Sequence, residues 1–284
     1  MNDVGFGAPA AASPPSASSA DDPLWPALYA EAEQMSAREE LLRAPIERAV
    51  LRHHDFASAL AALLAHKLAD AVLPTERLAD LARHAIADDP AIAAAAAADL
   101  AAIRARDPAA ESWLTPFLYY KGFHALEWHR LGHHLWRAGR RDLARFLQSR
   151  VSEVFAVDIH PAVPVGRGVF IDHATGLVVG ETAVIGNDVS ILHEVTLGGT
   201  GKERGDRHPK VRDGVLLCAG AKVLGNVEIG RGAKVGAGSV VLHSVPPHAT
   251  VAGVPARVVA WSQSAVPALE MDQSLPDYIP DYAI

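Results

Sequence analysis

The chain of 284 residues has a single cysteine, Cys218, which excludes an internal disulfide framework. Cys218 falls inside a repeat described below and reads as a small core or wall residue rather than a nucleophile. No apolar run reaches the length of a membrane span, and the start of the chain lacks the basic segment and continuous apolar core of a signal peptide. Positive charge is not in excess either. Lys and Arg number 26 against 33 Asp and Glu, a net charge of −7, which argues against a nucleic-acid-binding surface. The hydrophobic fraction of 50% is inflated by alanine. What remains is the expectation of a soluble cytoplasmic enzyme, long enough for two domains, with neither membrane nor nucleic acid among its partners.

What is present is a six-residue period. Aliphatic residues fall at Ile159, Val165 and Ile171, at Val179, Ile185, Ile191 and Leu197, and after an interruption at Leu217, Val223, Ile229, Val235 and Val241. Four positions after most of them stands a small or β-branched residue, from Val163, Val169 and Thr175 to Ala233, Ser239 and Val245. Neither a helix nor an alternating strand has this spacing. A coil of three hexads does, with one short strand per face and each aliphatic side chain stacked on the one eighteen positions away. Glycines such as Gly180, Gly186 and Gly230 sit near the repeated positions, where the chain turns corners.

Four segments follow. Residues 1–21, rich in Ala, Ser, Pro and Gly, are expected to be disordered. Residues 22–155 read as an α-helical domain, with helical runs over Ala57–Leu73, Glu76–Ala87, Ile92–Arg106 and Pro116–Ala138 punctuated by prolines. Residues 156–261 form the solenoid, interrupted by a polar loop from Gly198 to Gly214, and 262–284 form an acidic, flexible tail. The fold class is therefore α+β.

The segments between the core positions carry a resemblance. Val157-Asp158-Ile159-His160-Pro161, Asp172-His173-Ala174-Thr175-Gly176, Val195 to Gly201 and Gly205-Asp206-Arg207-His208-Pro209-Lys210 resemble the serine O-acetyltransferases among hexapeptide-repeat acyltransferases. Arg106-Asp107-Pro108-Ala109 and Tyr120-Lys121-Gly122-Phe123-His124-Ala125-Leu126 extend the likeness into the helical domain. The resemblance implies a left-handed parallel β-helix, homotrimers that can pair into hexamers, and transfer of acetyl from acetyl-CoA to L-serine, with L-cysteine as feedback inhibitor. It also implies docking of the C-terminal residue, Ile284, into O-acetylserine sulfhydrylase.

The residue types suit that chemistry. A serine hydroxyl needs a base working near neutrality, and the resemblance maps it onto His173, with Asp158 as the carboxylate that holds one tautomer. Arg207 and His208 are implied for the serine carboxylate, to which a planar guanidinium is suited, and Asp107 and Asp172 for the ammonium group. Gly198, Gly199, Thr200 and Gly201 permit close approach of a thioester, while Ala219, Lys234 and Ala237 match positions along the cofactor groove. A backbone N–H near Gly199 is one candidate oxyanion donor.

Three rival readings are weighed. His129, His133 and His134 invite a zinc motif, but the glutamate after the first His is missing and a structural role is expected, with no metal. A β-helical carbonic anhydrase could draw ligands from His160, His173, His193 and His208, although Asp158 and Arg207 fit the acetyltransferase pattern better. A regulatory scaffold acting through the tail is the third possibility, and it is compatible with catalysis.

Overall fold

The computed structural model describes residues 24–201, 204–261 and 266–275. The segment 1–21 and Ile284 lie outside the described residues.

The helical domain comprises α1 (Leu24–Arg38), α2 (Glu40–Ile46), α3 (Phe56–Leu68), α4 (Thr75–Asp88), α5 (Ala91–Arg106), α6 (Leu114–Tyr119), α7 (Lys121–Arg137) and α8 (Arg141–Phe155). Pro45 lies inside α2, which continues as a π turn over Glu47–Leu51, a usual response to a proline with no N–H to donate. α3 stops five residues short of the run expected to reach Leu73, because the Asp70 carboxylate accepts from the backbone N–H groups of Val72 and Leu73 and closes a turn. The run expected over Pro116–Ala138 is two helices, broken at Tyr120, whose backbone is extended at ψ 107°. That break serves the site described below.

The solenoid contributes β1 (Val157–Ile159), β2 (Phe170–Ile171), β3 (Leu177–Val179), β4 (Val184–Ile185), β5 (Ser190–Ile191), β6 (Thr196–Gly198), β7 (Lys210–Val211), β8 (Leu216–Leu217), β9 (Lys222–Leu224), β10 (Glu228–Ile229), β11 (Lys234–Val235), β12 (Val240–Val241), β13 (Ala249–Gly253) and β14 (Ala256–Trp261). They stack into three parallel faces. The first runs β1-β3-β6-β9-β12, the second β4-β7-β10, and the third β2-β5-β8-β11-β13, which the antiparallel β14 caps. The repeated aliphatic residues, Ile159 and Val179 through Leu197 to Val241, are buried on the axis, except Val165, which is partly buried against the core.

The eighteen-residue stack is broken twice before the last coil, where Lys234 pairs with Thr250, sixteen residues apart. Val178 pairs with Thr196 and Lys222 with Val240, eighteen residues apart, but Phe170 pairs with Ser190, twenty apart. The two extra residues belong to the turn between β2 and β3, where His173 and Ala174 both adopt left-handed backbone, φ 56° and 61°. The second break is the loop between β6 and β7, across which Ile185 pairs with Val211, twenty-six residues on.

Two buried polar anchors fix the helical domain on the first coils. Asp99 accepts from the Val169 N–H at 2.7 Å and from Arg130 at 3.0 Å, and Arg130 also donates to the carbonyls of Val165 and Gly166. Glu127 lies 3.4 Å from the same guanidinium, and burial, then the neighbouring Asp99, pushes its carboxyl well up; burial raises Asp99 as well, against the pull of Arg130. Arg106, 3% exposed, donates to Ser190 and pairs with Asp188 on the solenoid, which sets the exit of α5 just before Asp107.

Residues 266–275 return to the third face, although the sequence places them in a flexible tail. The short helix α9 (Pro267–Glu270) accepts from Ser190 through the Ala268 carbonyl at 2.8 Å, and Met271 packs on the cluster of Leu192, Leu216 and Cys218. Cys218 is buried, and burial pushes its thiol up to about 11. That is a wall residue, not a nucleophile.

Candidate functional site

The first face of the solenoid has two edges, and the expected site residues divide between them. At the edge shared with the third face stand Asp172 and His173, in the lengthened turn. The His173 imidazole is 74% exposed, so packing does not account for it, and its Nε2 lies 3.8 Å from the Asp172 carboxylate. Its ring meets that of His193, from the next coil, edge to face with centroids 5.7 Å apart. Asp172 is half-buried, and that desolvation raises its pKa against the opposing pull of His173.

The N-terminus of α7 holds this turn from the side. A Cβ on Gly122 would lie 2.1 Å from the Ile171 carbonyl oxygen, so only glycine lets the helix come this close to β2. The Lys121 ammonium donates to the Thr175 hydroxyl. Tyr120, at the helix break, has its phenol pushed up to about 12, first by burial and then by its hydrogen bond with Asp107, so it stays a proton donor at neutral pH. Asp107 is fixed in turn, its Oδ1 accepting from the Ala109 N–H at 2.8 Å. Asp107, Asp172 and His173 thus come together from two domains. Gly122→Ala is expected to cost roughly 1–3 kcal/mol, as forced overpacking does, and to lower kcat by displacing the strand that leads to His173. A thermal melt and turnover matching the native chain would contradict this placement.

At the opposite edge, shared with the second face, the β6–β7 loop returns to the solenoid. Arg207 donates to Glu181 at 2.9 Å and to the Gly205 carbonyl at 3.0 Å, and both the Arg207 and His208 N–H groups donate to the Thr182 hydroxyl. The Thr182 N–H donates to His208 Nδ1 at 3.1 Å, which places the proton of the neutral ring on Nε2. Burial, then the charges of Arg207 and Lys210, lowers the pKa of His208 and keeps it neutral. Its ring lies over Gly180, where a Cβ would meet Nε2 at 2.1 Å. Lys210 pins the returning loop by donating to the Thr182 and His208 carbonyls and to Asp206.

Asp158 belongs to this second edge. It is the outward residue of β1, its Oδ1 accepts from Gln148 at 2.6 Å, and its charge acts on His160. The expected pair of His173 with Asp158 is therefore not formed within one chain. The sequence gives no signal for this, because a six-residue period fixes which residues reach a corner and not which corners of two copies meet. Tyr120, Lys121, Glu181 and Thr182 went unassigned in the sequence, although the polar trio Gly180-Glu181-Thr182 at a repeat corner was a visible cue.

The expected cofactor positions lie on both edges. Gly198 and Gly199 open the β6–β7 loop, Thr200 packs on Gly225, and Gly201 has φ 79°. Ala219 and Ala237 occupy successive corners above His193. Lys234 is nearly buried, and its ammonium donates to the carbonyls of Asp272 at 3.1 Å and Ser274 at 2.6 Å. It is held by the returning tail segment.

The histidines of α7 are structural. His129 is buried, its Nε2 bonded to the Val163 carbonyl at 3.0 Å and its pKa lowered to about 3 by desolvation, while His133 bonds the Pro161 carbonyl at 2.8 Å. Among the described residues no group of three or more His, Cys, Asp or Glu side chains is arranged to hold a metal. His173 and His193 share one edge, and His160 and His208 share the other. No helix among the described residues is long and apolar enough to cross a membrane.

Comparison with known proteins agrees with this architecture. Residues 24–128 match the family described as "Serine acetyltransferase, N-terminal", and residues 208–243 match "Bacterial transferase hexapeptide (six repeats)". The chain is 55% identical over 250 residues to the serine acetyltransferase of Escherichia coli strain K12, covering 88% of this chain and 92% of that protein. A serine acetyltransferase solved in complex with cysteine superposes with a TM-score of 0.87 at 51% identity, covering 89% of this chain and 98% of the other. Another, solved in complex with CoA, gives a TM-score of 0.80 at 51% identity, covering 83% and 98%.

Proposed function

The chain belongs to the serine acetyltransferase family, acyltransferases with a helical domain followed by a left-handed β-helix, and on that premise we propose that it transfers acetyl from acetyl-CoA to the hydroxyl of L-serine, giving O-acetyl-L-serine. The observation that carries this reading is the pairing of an exposed imidazole, His173, with two carboxylates at one edge of a face whose other edge presents a guanidinium and a neutral imidazole. A zwitterion that also bears a hydroxyl matches that set of groups. His173 takes the hydroxyl proton as the oxygen attacks the thioester carbon, and returns it to the departing thiolate. Thiol release from acetyl-CoA, followed over a panel of hydroxy amino acids, tests the assignment; turnover with no preference for serine would refute it.

The site is completed between copies of the chain. The second edge of one protomer, carrying Asp158, Arg207 and His208, meets the first edge of its neighbour, carrying Asp107, Asp172 and His173, so that Asp158 orients the partner's imidazole. A threefold ring joins unlike edges in this way and closes with three sites. Val178, an outward residue of the first face, is 41% exposed in the single chain, which suits an interface there. The helical domains can pair two such trimers.

L-cysteine shares the amino-acid core of serine and is assigned to the same site. Arg207→Ala is therefore expected to raise the KM for serine and weaken cysteine inhibition together; a large serine defect with unchanged inhibition would separate the two sites. Acetyl-CoA lies along Ala219 and Ala237 with its acyl end toward Gly198–Gly201, and Lys234 serves its phosphates once the segment over Asp272–Ser274 has moved away. No metal is assigned. The protein works in the cytoplasm, and Ile284 supplies an apolar side chain suited to the amino-acid pocket of O-acetylserine sulfhydrylase. Deleting Ile284 is expected to weaken that association tenfold or more, about 1.4 kcal/mol, with acetyl transfer intact. Calorimetric titration of the sulfhydrylase with the full-length and shortened chains is the check.

A further inference from the structure

A cavity of about 640 Å³ lies away from the site, at the corner between the second and third faces, where Val165, Gly166, Arg167 and Asn187 form its solenoid wall. Its other walls are the first turns of α5, with Ala91, Ile92 and Ala95, and the last turns of α7, which end at Arg137. The ring proposed above uses only the two edges of the first face, so this corner stays open. A cleft of that volume suits a small organic ligand.

The lining specifies the charge of that ligand. Arg137 and Arg167 line the cavity from two walls, both are exposed, and neither has an ion-pair partner among the described residues. A third guanidinium, Arg130, belongs to the floor and is already engaged, donating to Asp99 and to the Val165 and Gly166 carbonyls. Two acids line the cavity as well, and each has a partner. Asp88 lies 3.2 Å from His134 Nε2, and the Asp89 Oδ1 accepts from the Ala91 N–H at 3.2 Å. The positive end of α5 faces the same space. Two unpaired forks beside a helix N-terminus favour a carboxylate or a phosphate, and the alanine wall offers apolar surface to the rest of the molecule.

The same two helices reach the active edge. α5 starts at the cavity and ends at Arg106, one residue before Asp107, while α7 starts just after Tyr120 and ends at the cavity with Arg137. Each is roughly 24 Å long at 1.5 Å per residue. Between the ends, Asp99 of α5 accepts from Arg130 of α7 at 3.0 Å, so the pair moves together. A helix shift at the cavity is therefore felt at Asp107, at Tyr120 and at the Gly122 contact that holds the His173 turn.

We propose that this cavity is an effector site for a small organic anion, a carboxylate or phosphate on a short apolar body, whose binding changes the affinity of the serine site through α5 and α7. Calorimetry on the full-length protein with phenyl phosphate, benzoate and uncharged benzyl alcohol tests the site, and this arm does not depend on the activity proposed above. At least one anion should bind with a Kd below about 1 mM, the tighter of the two identifying the head group, and benzyl alcohol should not. Arg137→Gln combined with Arg167→Gln should weaken that anion at least about tenfold and leave kcat in its absence within about threefold of native.

Saturation with the anion should change the calorimetric Kd of L-serine at least about fivefold, and L-serine should change the Kd of the anion by the same factor, because coupling is reciprocal. This second arm rests on the serine reading. A Kd above about 1 mM for both anions, equal binding of benzyl alcohol, or binding unchanged in the double variant overturns the proposal. So does binding lost in Arg207→Ala, which would put the anion in the serine site, or anion binding that leaves the Kd of L-serine unmoved. A chain that binds no L-serine at all would count against the proposed activity instead, with the anion arm still deciding the cavity.

Discussion

Replacing His173 with alanine is expected to reduce kcat by roughly 10²- to 10⁴-fold, the range for loss of a general base, while leaving the fold and the affinity for CoA near native. The reasoning is structural as well as chemical. His173 is 74% exposed and sits on backbone that an alanine at 174 already tolerates at φ 61°, so truncating it leaves no buried cavity and removes only the edge-to-face contact with His193. Loss of turnover is then loss of proton transfer. Asp158→Asn should lower kcat by less, since it disturbs the orientation of the base without deleting it. Circular dichroism, a thermal melt and single-turnover acetyl transfer separate the outcomes, and turnover within about tenfold of native in the His173 variant would remove this imidazole from the reaction.

Two inactive variants are expected to restore activity when mixed. His173→Ala disables one edge of the first face and Arg207→Ala the other, and in the proposed ring each site takes one edge from each of two neighbours. Co-assembly of the two variant chains in equal amounts should therefore rebuild native sites at roughly a quarter of the interfaces by random mixing, against almost none in either variant alone. His173→Ala mixed with Asp158→Ala should behave in the same way. If each site drew both edges from one chain, no mixture could exceed its components. Co-expression with two different affinity tags, purification of the doubly tagged species and a thiol-release assay make the comparison direct, and a doubly tagged trimer as inactive as its parents would refute the shared site.

The division of labour between the two edges explains where sequence reasoning reached and where it stopped. The hexads named the axial residues correctly from Ile159 to Val241, because stacking eighteen residues apart is a local rule that each coil repeats. Even the irregularity at the base was visible, as the eight-residue step from Ile171 to Val179. Helix ends were less legible. Asp70 ended α3 early by accepting from the N–H groups of Val72 and Leu73, and the break at Tyr120 starts a new helix whose Lys121 reaches Thr175, more than fifty residues away along the chain.

The residue types of the site, and their likeness to one family, were determined by the sequence alone: an imidazole, three carboxylates, and the pair Arg207-His208 in a loop outside the repeat. The tertiary structure decided their grouping. It put His173 with Asp172 and Asp107, put Asp158 with Gln148 on the far edge, tied Lys234 to the returning tail, and left the buried Nδ1 of His193 without a hydrogen-bond partner among the described residues. The physical reason is that period and composition specify which side a residue faces relative to its neighbours in the chain. Which corners meet depends on the sign of φ in a two-residue insertion, on a glycine that admits a helix against a carbonyl, and on buried charges such as Asp99 and Arg130 that dock one domain on the other. Those are contacts between distant segments, and no local pattern encodes them.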